Sequence, residues 1–134
     1  MSDALPGGLY VVPASEQGYP VVVLHPWWGL NGDVKDFCMD LADAGFAVLA
    51  PDLYDGRIAT TIAEAEALSG ALDGDRAKAQ VADAVRGLGR LANRFFSTEA
   101  GGPYQRNSGV AVVGFSLGAF FALDVAAALP DLVR

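Results

Sequence analysis

The five residues Gly114-Phe115-Ser116-Leu117-Gly118 match the pattern Gly-x-Ser-x-Gly. This pattern is typical of a nucleophile elbow, a tight strand-to-helix turn that lifts a serine hydroxyl above the end of a sheet. Small residues are needed on both sides because larger side chains would crowd the turn. The chemistry would be attack of the Ser116 Oγ on an acyl carbon, which gives a covalent intermediate.

The neighbouring sequence supplies the two elements that such a turn requires. Residues 110–113, Val-Ala-Val-Val, predict a strand, and residues 116–129 predict a helix. The first N–H groups of that helix, including that of Leu117, would donate to an oxyanion that develops on the substrate. A structural turn with an idle serine is the alternative, because the motif is short enough to occur by chance. The flanking elements favour the nucleophile.

A second oxyanion donor is expected in the loop after an earlier strand. The sequence His25-Pro26-Trp27-Trp28-Gly29 follows the apolar run at residues 21–24, so the Trp27 N–H would pair with that of Leu117. Trp28 would then line the substrate pocket. The alternative is that both tryptophans only cover the end of the sheet.

Short β-rich runs alternate with helical patterns along the chain, which is typical of a parallel sheet with crossover helices. The predicted strands are residues 9–12, 21–24, 47–50 and 110–113, and the predicted helices begin near residues 33, 61, 75 and 116. Asp33 is the predicted N-cap of the first helix, and residues 97–108 predict a surface loop. The fold class is therefore α/β, a three-layer, mostly parallel sheet in one partial domain over residues 1–134.

Other residues could take part in chemistry or binding. His25 is the only histidine, so it is the only imidazole base within the chain, with shaping the loop or lining the pocket as the alternative. Arg57 could clamp a substrate carboxylate, or it could be a solvated arginine paired with Asp55. Asp52 is expected to bond the local backbone, and Cys38 is expected to pack in the core.

Composition excludes several classes of partner. The chain has 134 residues, 52% of them hydrophobic, and a net charge of −7 from 16 acidic and 9 basic residues. Nucleic acid is excluded as a partner because binding phosphates needs a basic surface. Membrane association is not expected, since no apolar run reaches the length of a span. No metal or cofactor motif occurs, and the single cysteine favours a cytoplasmic location.

Three motifs in order resemble the dienelactone hydrolase family of α/β hydrolases. They are His-Pro-Trp-Trp-Gly-Leu-Asn at residues 25–31, Ala-Pro-Asp-Leu-Tyr at residues 50–54 and the serine motif at residues 114–118. The resemblance runs from residue 21 to residue 129 and implies cleavage of a small carboxylic ester or lactone. Two departures occur together: Ser116 stands where the family's namesakes have cysteine, and Pro26 stands where they have glutamate. They agree, because a serine needs a base and no acidic partner.

The triad of this fold follows the order serine, acid, histidine. After Ser116 the chain offers only Asp124 and Asp131 as acids and no histidine. The family's acid and base therefore match no residue here, and we expect a truncated domain. Truncation would leave the far edge of the strand at residues 110–113 unpaired, which favours self-association or a second, completing chain.

Two other functions fit the element order. One is a binding or interaction module that uses the pocket without turnover. The other is a flavodoxin-like nucleotide binder, because open parallel sheets share this order of elements. The bulky Trp27 and Trp28 argue against the nucleotide binder, since a phosphate cradle needs small residues at that loop.

Overall fold

The computed structural model describes residues 7–13, 18–96 and 109–134. The elements in these ranges are β1 (Gly8–Val11), β2 (Tyr19–Leu24), α1 (Gly32–Asp43), β3 (Phe46–Pro51), α2 (Ile62–Gly70), α3 (Gly74–Phe96), β4 (Ala111–Gly114) and α4 (Leu117–Ala128). Every predicted strand and helix occurs, with ends that differ by one or two residues. The predicted loop at residues 97–108 lies outside the described residues.

The four strands form one sheet in the order β1-β3-β2-β4. The strands β3, β2 and β4 are parallel, and β1 pairs antiparallel with β3. The sheet is thus mostly parallel, as predicted. Leu24 at the end of β2 lies opposite Gly114 at the end of β4. This register brings the loop after β2 and the turn after β4 to the same edge of the sheet.

Helices cover both faces of the sheet. One core joins the sheet to α3 and α4, and the other joins it to α1. The first contains Val22, Leu24, Leu49, Val81, Val85, Leu88, Phe121 and Val125, and the second contains Val21, Val23, Val34, Cys38, Val48 and Ala50. Alternate residues of β2 thus serve opposite cores, which explains why this strand is an unbroken apolar run.

The N-cap of α1 differs from the prediction. The cap is Asn31, whose extended backbone lets its side-chain oxygen accept a hydrogen bond from the Val34 amide at 3.1 Å. Asp33 instead lies in the first turn, where its charge favours the helix dipole. At the start of α2 the Glu64 amide donates to Thr61 Oγ1 at 3.1 Å, and the Glu64 carboxylate accepts the amide of Thr60, one residue before the cap, at 3.1 Å.

The outer edge of β4 is only partly open. Val110, just before the strand, forms a parallel bridge with Val133. The Val110 amide donates to the Leu132 carbonyl at 2.8 Å, and the Arg134 amide donates to the Val110 carbonyl at 3.0 Å. The expectation of a wholly unpaired edge was therefore wrong at Val110, because the chain turns back after α4. Beyond the bridge, β4 is the last strand of the sheet among the described residues, and all four of its residues are partly exposed.

Candidate active site

Ser116 lies in the turn that joins β4 to α4, with its side chain exposed. Its backbone has φ 55° and ψ −112°. Apart from Asp55, it is the only non-glycine residue with positive φ in the described ranges. Such a conformation costs on the order of 1–3 kcal/mol and persists only where the surrounding structure enforces it. The structure thus holds an exposed serine hydroxyl on a strained turn.

The two glycines of the motif make this turn possible. A Cβ at Gly118 would lie 2.7 Å from the carbonyl carbon of Leu24 and 2.8 Å from the carbonyl oxygen of His25. A Cβ at Gly114 would lie 2.6 Å from the carbonyl carbon of Gly118. Because neither site has room for a side chain, α4 can start directly against the end of β2. This contact fixes the turn around Ser116.

Some backbone amides around this turn have acceptors among the described residues, and two do not. The neighbouring amides are used: Phe115 donates to the Leu24 carbonyl at 3.1 Å, and Gly118 donates to the Phe115 carbonyl at 2.9 Å. Within the described part of the chain, the amides of Leu117 and Trp27 donate a hydrogen bond to no acceptor. These are the two donors that the sequence predicts for an oxyanion hole.

The loop that carries Trp27 is a tight turn. The Gly29 amide donates to the Pro26 carbonyl at 3.0 Å, and Gly29 has φ 99°. A Cβ at Gly29 would lie 2.9 Å from the Arg57 carbonyl oxygen, so the position requires glycine. The Ala59 amide donates to the Trp28 carbonyl at 2.9 Å. The turn is therefore attached to the loop after β3, and the ring of Trp28 is partly exposed beside it.

His25 is fully buried, with 0% of its surface exposed. Its Nε2 accepts a hydrogen bond from the Leu53 amide at 3.0 Å, and its Nδ1 lies 2.8 Å from the Pro26 carbonyl. Burial lowers the pKa of the imidazole, outweighing the opposite effects of the Pro26 carbonyl and of Asp52. With both nitrogens bound to backbone, the ring shapes the loop. The placement of His25 among pocket-lining residues is corrected, because the ring has no accessible surface.

Asp52 and Arg57 follow β3 at the same edge of the sheet. The Asp52 carboxylate accepts the amides of Tyr54 at 3.0 Å and Gly56 at 2.9 Å, which is the predicted local role. Arg57 is exposed and lines a concavity of 250 Å³. Asp55 pairs with Arg76 at 3.2 Å, so the alternative that Asp55 is the partner of Arg57 is wrong. Ser116 lines neither of the two described concavities.

The sequence did not identify two residues that hold Trp27. Tyr54 donates from its hydroxyl to the Trp27 carbonyl at 2.9 Å, and the Trp27 indole Nε1 donates to Ser69 Oγ at 2.8 Å. Both contacts join distant parts of the chain. Tyr54 belongs to one of the three motifs, but nothing in the sequence indicates its partner. Ser69, near the end of α2, carries no sequence signal.

Neither a triad acid nor a metal centre is found in the residues the structure describes. Asp124 lies on α4 and pairs with Lys78 of α3 at 3.7 Å, away from the turn of Ser116. No cluster of three or more histidine, cysteine, aspartate or glutamate side chains in the described ranges could hold a metal ion.

Burial raises the pKa of the Cys38 thiol to about 11. None of the helices described is both long and apolar enough to cross a membrane.

A mostly parallel sheet with helices on both faces and a strained serine on a strand-to-helix turn defines an α/β-hydrolase-type chain. The model of the dienelactone hydrolase family matches residues 7–134. The chain therefore belongs to the dienelactone hydrolase family. This membership excludes the flavodoxin-like alternative.

Similar proteins support the assignment. The chain is 31% identical over 127 residues to "Putative carboxymethylenebutenolidase" of Aquifex aeolicus (strain VF5), with 92% of this chain and 52% of the relative covered. It is 28% identical over 127 residues to "Protein usf" of Aquifex pyrophilus, with the same coverage. It also resembles the solved structure "m3DLH" with a TM-score of 0.55 and 30% identity, covering 87% of this chain and 46% of that one. The chain thus spans about half the length of these curated relatives.

Proposed function

We propose that this chain carries the nucleophile of a serine hydrolase that cleaves a small carboxylic ester or lactone. The backbone strain at Ser116 is the observation that carries the proposal. A serine at φ 55° between two glycines that admit no Cβ is costly, and folding alone gives no reason to keep it. Attack on a bound substrate requires an exposed hydroxyl at the end of the parallel sheet, and Ser116 lies there.

The proposed reaction starts with attack of Ser116 Oγ on the ester carbonyl carbon. The hydroxyl proton passes to a general base, and the carbonyl oxygen becomes an oxyanion that accepts hydrogen bonds from the amides of Leu117 and Trp27. Collapse expels the alcohol, which takes the proton from the base, and leaves an acyl group on Ser116. Water then attacks the acyl group, releases the acid and restores the serine.

The base and its acid partner are proposed to come from polypeptide outside these 134 residues. Within the chain, His25 is the only imidazole, and both its ring nitrogens are bound to backbone. Asp124 lies about two turns along α4 from Ser116 and pairs with Lys78 at 3.7 Å. The chain also spans only 52% of its relative from Aquifex aeolicus. We therefore propose a partial domain whose site is completed by a further segment.

Trp28 and Arg57 are proposed to contact the substrate. Trp28 lies next to the oxyanion amide of Trp27 with part of its ring exposed. Arg57 is exposed and has no carboxylate within ion-pair distance among the described residues. Its guanidinium could hold a second, non-reacting carboxylate of the substrate by two parallel hydrogen bonds. A small anionic ester or lactone is thus the proposed substrate.

The open part of β4 is proposed to pair with a completing strand or a second copy of the chain. The Val110–Val133 bridge supports this proposal, because it begins a parallel pairing at the outer edge of β4. On the adjoining helix, Phe120 is 57% exposed and Leu123 is 75% exposed.

A cytoplasmic location is proposed from the single cysteine, which is buried and reduced.

Labelling with a fluorophosphonate tests the nucleophile. The chain would be fused to the part of the Aquifex aeolicus relative that does not align with it. The fused protein would be treated with the probe and digested for mass spectrometry. We expect the label on the peptide that contains Ser116, and none after Ser116→Ala. The chain alone should label far more slowly, since losing the base removes most of the rate.

Two outcomes would overturn the proposal. A label that persists after Ser116→Ala would place the nucleophile elsewhere. A joined protein that binds a carboxylic ester but takes up no label would favour the non-catalytic binding module.

A further inference from the structure

The peptide between Pro26 and Trp27 carries both the Pro26 carbonyl and the Trp27 amide. No cis peptide occurs in the described residues, so these two groups point in opposite directions. Fixing the direction of the carbonyl therefore also fixes the direction of the amide. In the proposed reaction that amide is one of the two oxyanion donors.

The Pro26 carbonyl is held from two sides. The Gly29 amide donates to it at 3.0 Å and closes the turn. The Nδ1 of His25 lies 2.8 Å from the same oxygen. Because the carbonyl points at the imidazole, the Trp27 amide points away from it. The ring is fully buried and packs against the Tyr54 ring at a centroid distance of 4.9 Å.

The Leu53 amide determines which nitrogen of His25 carries the hydrogen. It donates to Nε2 at 3.0 Å, so Nε2 must present a lone pair. The hydrogen is then on Nδ1, where it is donated to the Pro26 carbonyl. The other tautomer would place an N–H against the Leu53 N–H and leave the Pro26 carbonyl facing a lone pair. Both bonds therefore hold only for the Nδ1–H tautomer.

We propose that His25 is a positioning residue of the oxyanion hole: its Nδ1–H, selected by the Leu53 amide, orients the Pro26–Trp27 peptide so that the Trp27 amide serves the substrate oxyanion. The assignment of that amide to an oxyanion rests on the proposed function. The geometry of the ring and of the peptide does not rest on the proposed function.

Nuclear magnetic resonance of the imidazole tests the first half of the proposal in the chain itself. His25 is the only histidine, so a sample labelled with ¹⁵N at histidine gives signals from a single ring. We expect Nδ1 to show the shift of a protonated nitrogen and Nε2 that of an unprotonated one at neutral pH. The Nε2–H tautomer, or an exchanging mixture, would overturn the proposal.

Two substitutions test the second half. In His25→Asn the side-chain amide nitrogen can occupy the place of Nδ1 and donate to Pro26, while the acceptor for Leu53 is lost. In His25→Gln the side-chain oxygen can occupy the place of Nε2 and accept from Leu53, while the donor to Pro26 is lost. Both variants remove the ring, so they form a matched pair with similar losses of packing.

The readouts are the amide resonance of Trp27 and the labelling of Ser116 in the joined protein, corrected for the folded fraction. We expect His25→Gln to shift the Trp27 resonance and to lower the maximal labelling rate on the order of tenfold to a hundredfold, with the half-saturating probe concentration unchanged. In His25→Asn, the Trp27 resonance and the labelling rate should both stay close to their values in the unsubstituted protein. A purely structural role predicts equal rates per folded molecule in both variants, which would overturn the inference.

These results separate the two proposals. If Ser116 takes up no label in the unsubstituted joined protein, the proposed function fails, and the imidazole and Trp27 resonances still decide the role of His25. If Ser116 is labelled and the two variants label alike, the proposed function stands and the role of His25 is refuted.

Discussion

The hydroxyl of Tyr54 donates a hydrogen bond of 2.9 Å to the carbonyl of Trp27. Tyr54 is 5% exposed and packs its ring against His25. Trp27 is therefore fixed on both sides, because His25 holds the peptide before it and Tyr54 holds the peptide after it. The sequence that ends β3 thus supports the loop that ends β2.

Replacing this hydroxyl should cost both stability and reactivity. We expect Tyr54→Phe to lower the free energy of unfolding by about 1 kcal/mol, since one buried hydrogen bond is lost without a change in shape. Labelling of Ser116 should slow as the Trp27 carbonyl is released. Tyr10→Phe is the matched control, because Tyr10 is 41% exposed and should change neither quantity. Urea unfolding and the fluorophosphonate assay measure the two effects.

The strain at Ser116 predicts a trade of function against stability. Ser116→Gly and Ser116→Ala both remove the nucleophile, but only glycine tolerates φ 55° without strain. We expect the glycine variant to be about 1 kcal/mol more stable than the alanine variant, because relief of strain outweighs the entropy that glycine loses on folding. Chemical denaturation of the two variants decides the matter. Equal stabilities would mean that the turn is unstrained.

The buried imidazole of His25 predicts that stability depends on pH. Burial lowers its pKa in the folded chain, whereas the unfolded chain has the ordinary value of about 6.5. The unfolded state therefore takes up a proton first as the pH falls. The contribution of neutral His25 to stability is complete above about pH 6.5 and is lost progressively as the pH falls towards the lower folded value.

Urea unfolding between about pH 7.5 and about pH 5.5 measures this effect, since carboxylates titrate mostly below that range. The midpoint should fall with pH. In His25→Gln that fall should be absent, although the variant is less stable throughout. Asp52, which raises the pKa of His25, and the uncharged Tyr54 are the titratable groups that face the ring. A slope that persists in His25→Gln would assign the pH dependence to another group.

The exposed face of α4 predicts association of the isolated chain. Leu123 is 75% exposed on the helix beside the open edge of β4. We expect sedimentation at low micromolar concentration to show species larger than the monomer, and Leu123→Ser to reduce them. Ile62→Ser is the matched control, because Ile62 is 62% exposed on a different helix, α2. A monodisperse, cooperatively unfolding monomer would refute the prediction.

The order of the elements and the position of the serine turn could be predicted from the sequence. Hydrophobic periodicity marked each strand and helix because burial depends on local spacing along the chain. The glycines at residues 114 and 118 indicated a serine elbow because only residues without a side chain fit such a turn.

The long-range partners of several side chains could not be predicted from the sequence. Periodicity does not indicate that His25 is enclosed by Leu53 and Tyr54, because these residues follow a different strand and meet His25 only when β2 and β3 pair. The same holds for the contact of Ser69 with Trp27, and for Arg76 rather than Arg57 as the partner of Asp55. Hydrogen bonds and ion pairs act over a few ångströms in space, whereas the residues that form them are separated by 21 to 42 positions in sequence.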